Sequence, residues 1–150
     1  MRLCSTRTGR SAVTTVEGAV IFLVLLVLVL GVLDLIIRSY RQDILSMSAH
    51  HATRQAMVRG SKSDQLGSWG PTTVGPIKAS DSDPIAKAVR QRLVGIEPSS
   101  VSIKAVWLDG TNDPGNRVEI TVSATYQPII PFLFGSSVTL EGKSIQFISH

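Results

Sequence analysis

Between Ala19 and Ile37 the chain reads AVIFLVLLVLVLGVLDLII, and sixteen of these nineteen residues are Val, Ile, Leu or Phe. A helix that is apolar on every side belongs in the middle of a large core or in a membrane, and 150 residues leave room for one ordinary domain and no very large core. At roughly −0.3 to −0.6 kcal/mol for each apolar residue, the run contributes about −5 to −10 kcal/mol of apparent insertion energy, against about +2.5 to +3.5 kcal/mol for one Asp at the midplane. Asp34 lies near the end of the run, so insertion prevails. At about 1.5 Å per residue the run is roughly 28 Å long, close to the ~30 Å hydrocarbon layer. One span fits and two do not. A cleaved signal peptide has a shorter apolar stretch of about 7 to 15 residues with a small-x-small site soon after it. Neither holds here, and the expectation is a retained anchor.

Charge is distributed in a way that sets an orientation. The chain carries 15 Lys and Arg against 11 Asp and Glu, a net charge of +4. Arg2, Arg7 and Arg10 precede the run with no acid before Glu17, whereas Asp34, Arg38, Arg41 and Asp43 balance at its far end. The positive-inside rule then places the N-terminus in the cytoplasm and everything beyond Ile37 outside, in a single-pass inner-membrane topology. The lone Cys4 precludes an intrachain disulfide and reads as a reduced cytoplasmic thiol.

Beyond the run, Leu45, Ala49, Ala52 and Ala56 recur at steps of four, three and four, so the membrane helix is expected to continue as a stalk. From Val13 to Arg59 it would be about 70 Å long. Its Ala-rich stripe permits close approach by the protein's own strands or by another subunit. Gly60 ends the helix, and the glycines and prolines between there and Asp83 predict a loop of over twenty residues, with Trp69 as a core anchor or an exposed contact. Asp83 followed by Pro84 starts a second helix that stops before Gly95 and buries Ile85, Val89 and Leu93.

Three strands are expected to follow. Val101, Ile103, Ala105 and Trp107 alternate with more polar residues, as do Val118, Ile120, Val122, Ala124 and Tyr126, and the turn-forming DGTNDPGN joins them in a hairpin. Ser137 to Ile148 supplies the third, with Val138, Leu140, Ile145 and Phe147 as its apolar positions and Gly142 marking a bulge where the alternation breaks.

Chemistry-bearing patterns are sparse. His50 and His51 are adjacent, about 100° apart on a helix, and lack the i, i+4 spacing that lets two histidines share a metal. There is no GxSxG, HExxH or phosphate-cradling glycine loop. The basic residues Lys87, Arg90 and Arg92 have no interleaved aromatics, which argues against nucleic acid. No enzyme, cofactor or metal is therefore expected. Two carboxylates stand out. Glu17 sits just before the apolar run, where an unpaired charge is costly, so it needs water, Arg10 or the terminal amine of a processed neighbouring chain. Asp34 would face the far interface or pair with a cation of another membrane protein.

RSAVTTVEGAVIFLVLLVLVLGVLDL, Arg10 to Leu35, resembles the N-terminus of TadE-like pseudopilins of bacterial tight-adherence (Flp-type) pilus systems: a basic leader, small residues, a Val-Glu pair and one membrane helix with Gly and an acid near its end. The Ala- and Arg-containing AHHATRQAMVRG and the C-terminal VTVSATYQPIIPFLFG and SVTLEGKSIQ resemble that family's stalk, Pro-rich apolar loop and closing strand. The resemblance implies a leader that prepilin peptidase can cut, commonly after Gly, with Glu at the fifth mature position. With Glu17 as that residue the cut falls between Ala12 and Val13, and Ala12 stands where the family commonly has Gly.

The expected fold is thus α+β and pilin-like. It comprises a cytoplasmic leader (1–12), a membrane-spanning helix and stalk (13–59), and an extracytoplasmic head (60–150) with one further helix and a three-stranded antiparallel sheet. The resemblance implies a minor pseudopilin or assembly protein acting through helix packing and contacts with pilin-like subunits, pilus assembly machinery and membrane lipid. A protein of a different class, a permanently anchored extracytoplasmic binding module, remains the competing expectation. Alkaline phosphatase fused after Gly60 is expected to be active, since that position lies outside; an inactive, stably expressed fusion would reverse the orientation.

Overall fold

The computed structural model describes residues 8–63, 66–131 and 135–149, with side chains from Val13 onward. The leader residues Arg2, Cys4 and Arg7 lie outside that set. One unbroken helix, α1, runs from Thr8 to Met57, 50 residues or about 75 Å. Its two halves differ in surroundings. From Val13 to Val29 every side chain but Val27 is exposed, including Phe22 and Leu28 at 64% and 63%. From Ile44 onward, Ile44, Leu45, Ser48, Ala49, Ala52, Thr53 and Ala56 are buried. Their spacing at 3.6 residues per turn turns one stripe toward the head. The four stripe residues expected from the sequence are all in the core, and what they meet is the protein's own sheet.

That sheet is an antiparallel meander in the order β1-β2-β3-β4: Val74–Lys78, Val101–Trp107, Arg117–Tyr126 and Val138–Phe147. β2 and β3 pair without interruption from Val101–Ala124 to Trp107–Val118, and each buries the expected alternate residues. At their turn Arg117 donates to Asp109 from its backbone (2.8 Å) and its guanidinium (2.7 Å), which holds the Asp109 carboxyl below its ordinary value. The second helix, α2 (Pro84–Arg90), is capped by the Asp83 carboxylate, which accepts from the Ile85 amide at 2.8 Å. It is shorter than the sequence suggests. Leu93 lies beyond it, half-buried against the core.

Two expectations are corrected. The sheet has four strands, because β1 lies inside the stretch expected to be loop. Gly75 and Pro76 disguise it: the ladder with β2 shifts between Val74 and Ile77, where a bulge accommodates the pair, and proline is tolerated because β1 is an edge. Gly142, conversely, marks no bulge. β3 and β4 stay in register from Arg117–Phe147 through Val122–Gly142 to Tyr126–Val138. The inward positions of β4 are therefore Leu140, Gly142 and Ser144, while Ile145 and Phe147 point outward and are exposed. Glycine stands at 142 because α1 crosses there: a Cβ would come within 2.4 Å of the Leu45 carbonyl carbon and the Ser46 nitrogen, both backbone atoms that cannot step aside.

Trp69 is the core anchor of the remaining loop. It is 8% exposed, its amide donates to the Arg59 carbonyl at 2.8 Å, and the Arg59 guanidinium stacks 4.5 Å from its ring centroid. Asn112 reaches from the hairpin turn to the Trp69 carbonyl at 3.1 Å and to Ser68, closing the far end of the head.

Gly142→Val is expected to lower the stability of the head by about 1–3 kcal/mol or more, the usual range for overpacking a fitted contact. The midpoint of thermal unfolding in detergent checks it; an unchanged midpoint would mean that α1 does not lie on β4 as described.

Candidate functional site: the junction of helix and head

Asp34 is only 3% exposed, although it sits on α1 three turns before the core stripe. A carboxylate placed there must find hydrogen-bond donors. It finds two in the segment that leaves β3: the Tyr126 hydroxyl donates to it, and the Ile129 amide donates to the same oxygen at 3.0 Å. The β3–β4 loop is thereby fastened to the helix at the level of Asp34. Above this point Arg41, one face along on α1, places its guanidinium 5.2 Å from the Tyr126 ring centroid. Burial first, and then the bond to Asp34, push the Tyr126 phenol above its ordinary value.

Beside the junction opens a cleft of about 710 Å³ between α1, the β2 approach and the end of β3, lined by Arg41, Leu45, Ile96, Ser100, Tyr126 and Leu140 among others. Its walls mix the Arg41 cation, the Glu97 carboxylate, a phenol, an amide, hydroxyls and aliphatic side chains.

The other residues singled out by the sequence lie elsewhere. Ala12 and Val13 are in the helical backbone at the start of α1, and Val13 is 67% exposed. Glu17 is exposed one turn further on and makes no ion pair with any described side chain; the Arg10 side chain lies outside the described ones. The structure thus does not bring Glu17 and Asp34 together. They are separated by 17 residues of helix, about 25 Å. Both hydrogen-bond partners of Asp34 among the described residues come from its own chain. The adjacent histidines are tethers to different elements: His50 Nδ1 is 2.9 Å from the Ser144 hydroxyl on β4, and His51 Nδ1 is 3.2 Å from the Ala88 carbonyl on α2, to which it donates. Among the described residues no cluster of His, Cys, Asp or Glu could hold a metal ion.

Tyr126 and Ile129 are the functional residues that sequence reasoning misses. Tyr126 reads only as the last alternating position of a strand, and Ile129 only as part of an apolar loop. A carboxylate inside an apolar run signals that a partner exists, but the partner stands 92 positions away.

No family model, no curated protein and no solved structure matches this chain. What the coordinates define is an α+β chain whose one long N-terminal helix is long and apolar enough to cross a membrane.

Tyr126→Phe removes one of the two donors to a buried carboxylate, and a loss of about 1–3 kcal/mol is expected. The variant should also differ at high pH. Because the folded phenol is raised, its contribution is complete below the unfolded value near 10 and is lost as pH rises through the folded one. Unfolding midpoints of the two proteins measured from pH 8 to 11 check both effects; a wild type with no greater alkaline sensitivity than the variant would contradict the account.

Proposed function

We propose that this chain is a TadE-like, pilin-like membrane protein of a tight-adherence pilus system, a minor pseudopilin or anchored assembly factor that acts by packing its helix among other pilin-type helices. The observation that carries this reading is the division of one unbroken helix. Its first half exposes apolar side chains on all faces, which water does not tolerate over such a length. Its second half forms one wall of a small antiparallel head. An element of that kind anchors a head to a membrane and offers the anchor to neighbours. The basic leader and the order of the segments along the chain support the family, and the arginines before Glu17 support an N-in, C-out placement in the inner membrane.

On this reading the chain performs no catalysis. Glu17 is the contact residue of the anchor. Exposed on the helix just before the apolar run, its carboxylate is tolerable against lipid only when a cation reaches it, and an amine on Val13 of a neighbour, freed by prepilin peptidase between Ala12 and Val13, would supply one while setting the stagger between helices. A second reading, a permanently anchored binding module, draws support from the cleft beside Tyr126. The mass of the mature protein separates the two, since a cut leader belongs to the first.

Glu17→Gln is expected to insert normally, because a neutral amide is easier to bury, yet to co-purify with pilin-type partners in reduced yield. Wild-type recovery of those partners by the mutant would remove the role assigned to Glu17.

A further inference from the structure

At the foot of the head, the segment from Pro128 to Pro131 lies against α1 where the apolar run ends. The bond from the Ile129 amide to Asp34 fixes its level. The apolar run ends at Ile37, so Asp34 lies only three residues, or roughly 5 Å, inside its outer end. Ile129 therefore stands at the boundary of the hydrocarbon layer if the helix spans it. Its side chain is 55% exposed, and around it on α1 Val32, Leu33, Leu35 and Ile36 are exposed as well, continuous with the apolar surface below.

An isolated surface isoleucine needs no explanation. This one is held at a fixed level on the helix, and part of its backbone hydrogen bonding is already met. Proline carries no N–H, so Pro128 and Pro131 bring no donor to be desolvated. The Ile129 donor is satisfied by Asp34, and the Pro131 carbonyl accepts from the Gly135 amide at 2.9 Å. Irregular backbone next to lipid is costly mainly through unsatisfied polar groups, and the bonds at the Ile129 amide and the Pro131 carbonyl meet part of that cost. The segment from Gln127 to Pro131 contains no charged residue, whereas Arg38 and Arg41 follow on α1 within two turns, placed to carry their charges to the headgroups.

We propose that Ile129–Pro131, which follows the buried Pro128, is a second membrane contact, with Ile129 at its tip resting in the leaflet from which the head emerges. The loop and the helix then touch lipid at two separate points, and the head holds one face toward the bilayer. This rests on the reading of α1 as a membrane span, and the test keeps the two apart.

Single cysteines are introduced at Ile129, Val24 and Thr111 of the full chain in a Cys4→Ser background and labelled with an environment-sensitive fluorophore. The protein is reconstituted in phosphatidylcholine and phosphatidylglycerol vesicles with and without lipids bearing a nitroxide on the acyl chain. Tryptophan emission of Trp69 and Trp107 verifies that each variant is folded. The label at Ile129 is expected to show blue-shifted emission and to be quenched several-fold more strongly than that at Thr111, on the hairpin turn at the opposite end of β3; the label at Val24 should also be quenched. Quenching at Val24 with Ile129 no different from Thr111 would overturn the loop contact and leave the span standing. Absence of quenching at both Val24 and Ile129 would overturn the span and the contact with it.

Discussion

The structure depends on α1 lying directly on the backbone of β4. Helix and sheet can approach so closely only where the residues at the crossing are small: Gly142 lies against the Leu45–Ser46 backbone, Ser144 is the next inward residue of the strand, and Ala49 and Ala52 are buried on the helix. The fit leaves the head little need for large side chains. With α2 packed against α1, a chain of 5% aromatic residues still buries Trp69, Trp107 and Tyr126. Hydrogen bonds follow the contact along its length, from His50 to Ser144 and from the Ser149 amide to the Met57 carbonyl at 2.9 Å.

The parts of this fold that sequence reasoning recovers are those written in local periodicity. The stripe Leu45, Ala49, Ala52, Ala56 and the alternations of β2 and β3 each repeat within one element, so a one-dimensional pattern carries them. β1 escapes because its five residues include Gly75 and Pro76, which read as a turn until β2 is present to pair with them. Gly142 misleads for a different reason. The apolar residues of β4 stand at odd spacing because Ile145 and Phe147 belong to the outer face, while the inner face is reserved for residues that admit a helix. In the second half of that strand the apolar side chains point away from the core, while Leu140 in the first half points into it.

The junction was half legible. Asp34 stands out in its apolar run, and the cost of burying a carboxylate demands a donor, but no periodicity joins positions 34, 126 and 129. Such a site can be inferred only once the meander has carried the end of β3 back to the helix. Its chemistry is positional: two neutral donors hold the carboxylate, and a guanidinium over the phenol ring covers them.

Gly31 lies within α1 without breaking it, and the helix runs on from the exposed half to the packed half. The azimuth of every side chain on the lower half is consequently locked to that of the sheet above. A neighbour that grips the chain at Phe22 and turns it by one residue's angle, about 100°, swings the four strands through the same angle, and a slip of one turn lifts the hairpin tip by about 5.4 Å. Without a break in the helix, the chain has no joint at which the two halves could turn independently.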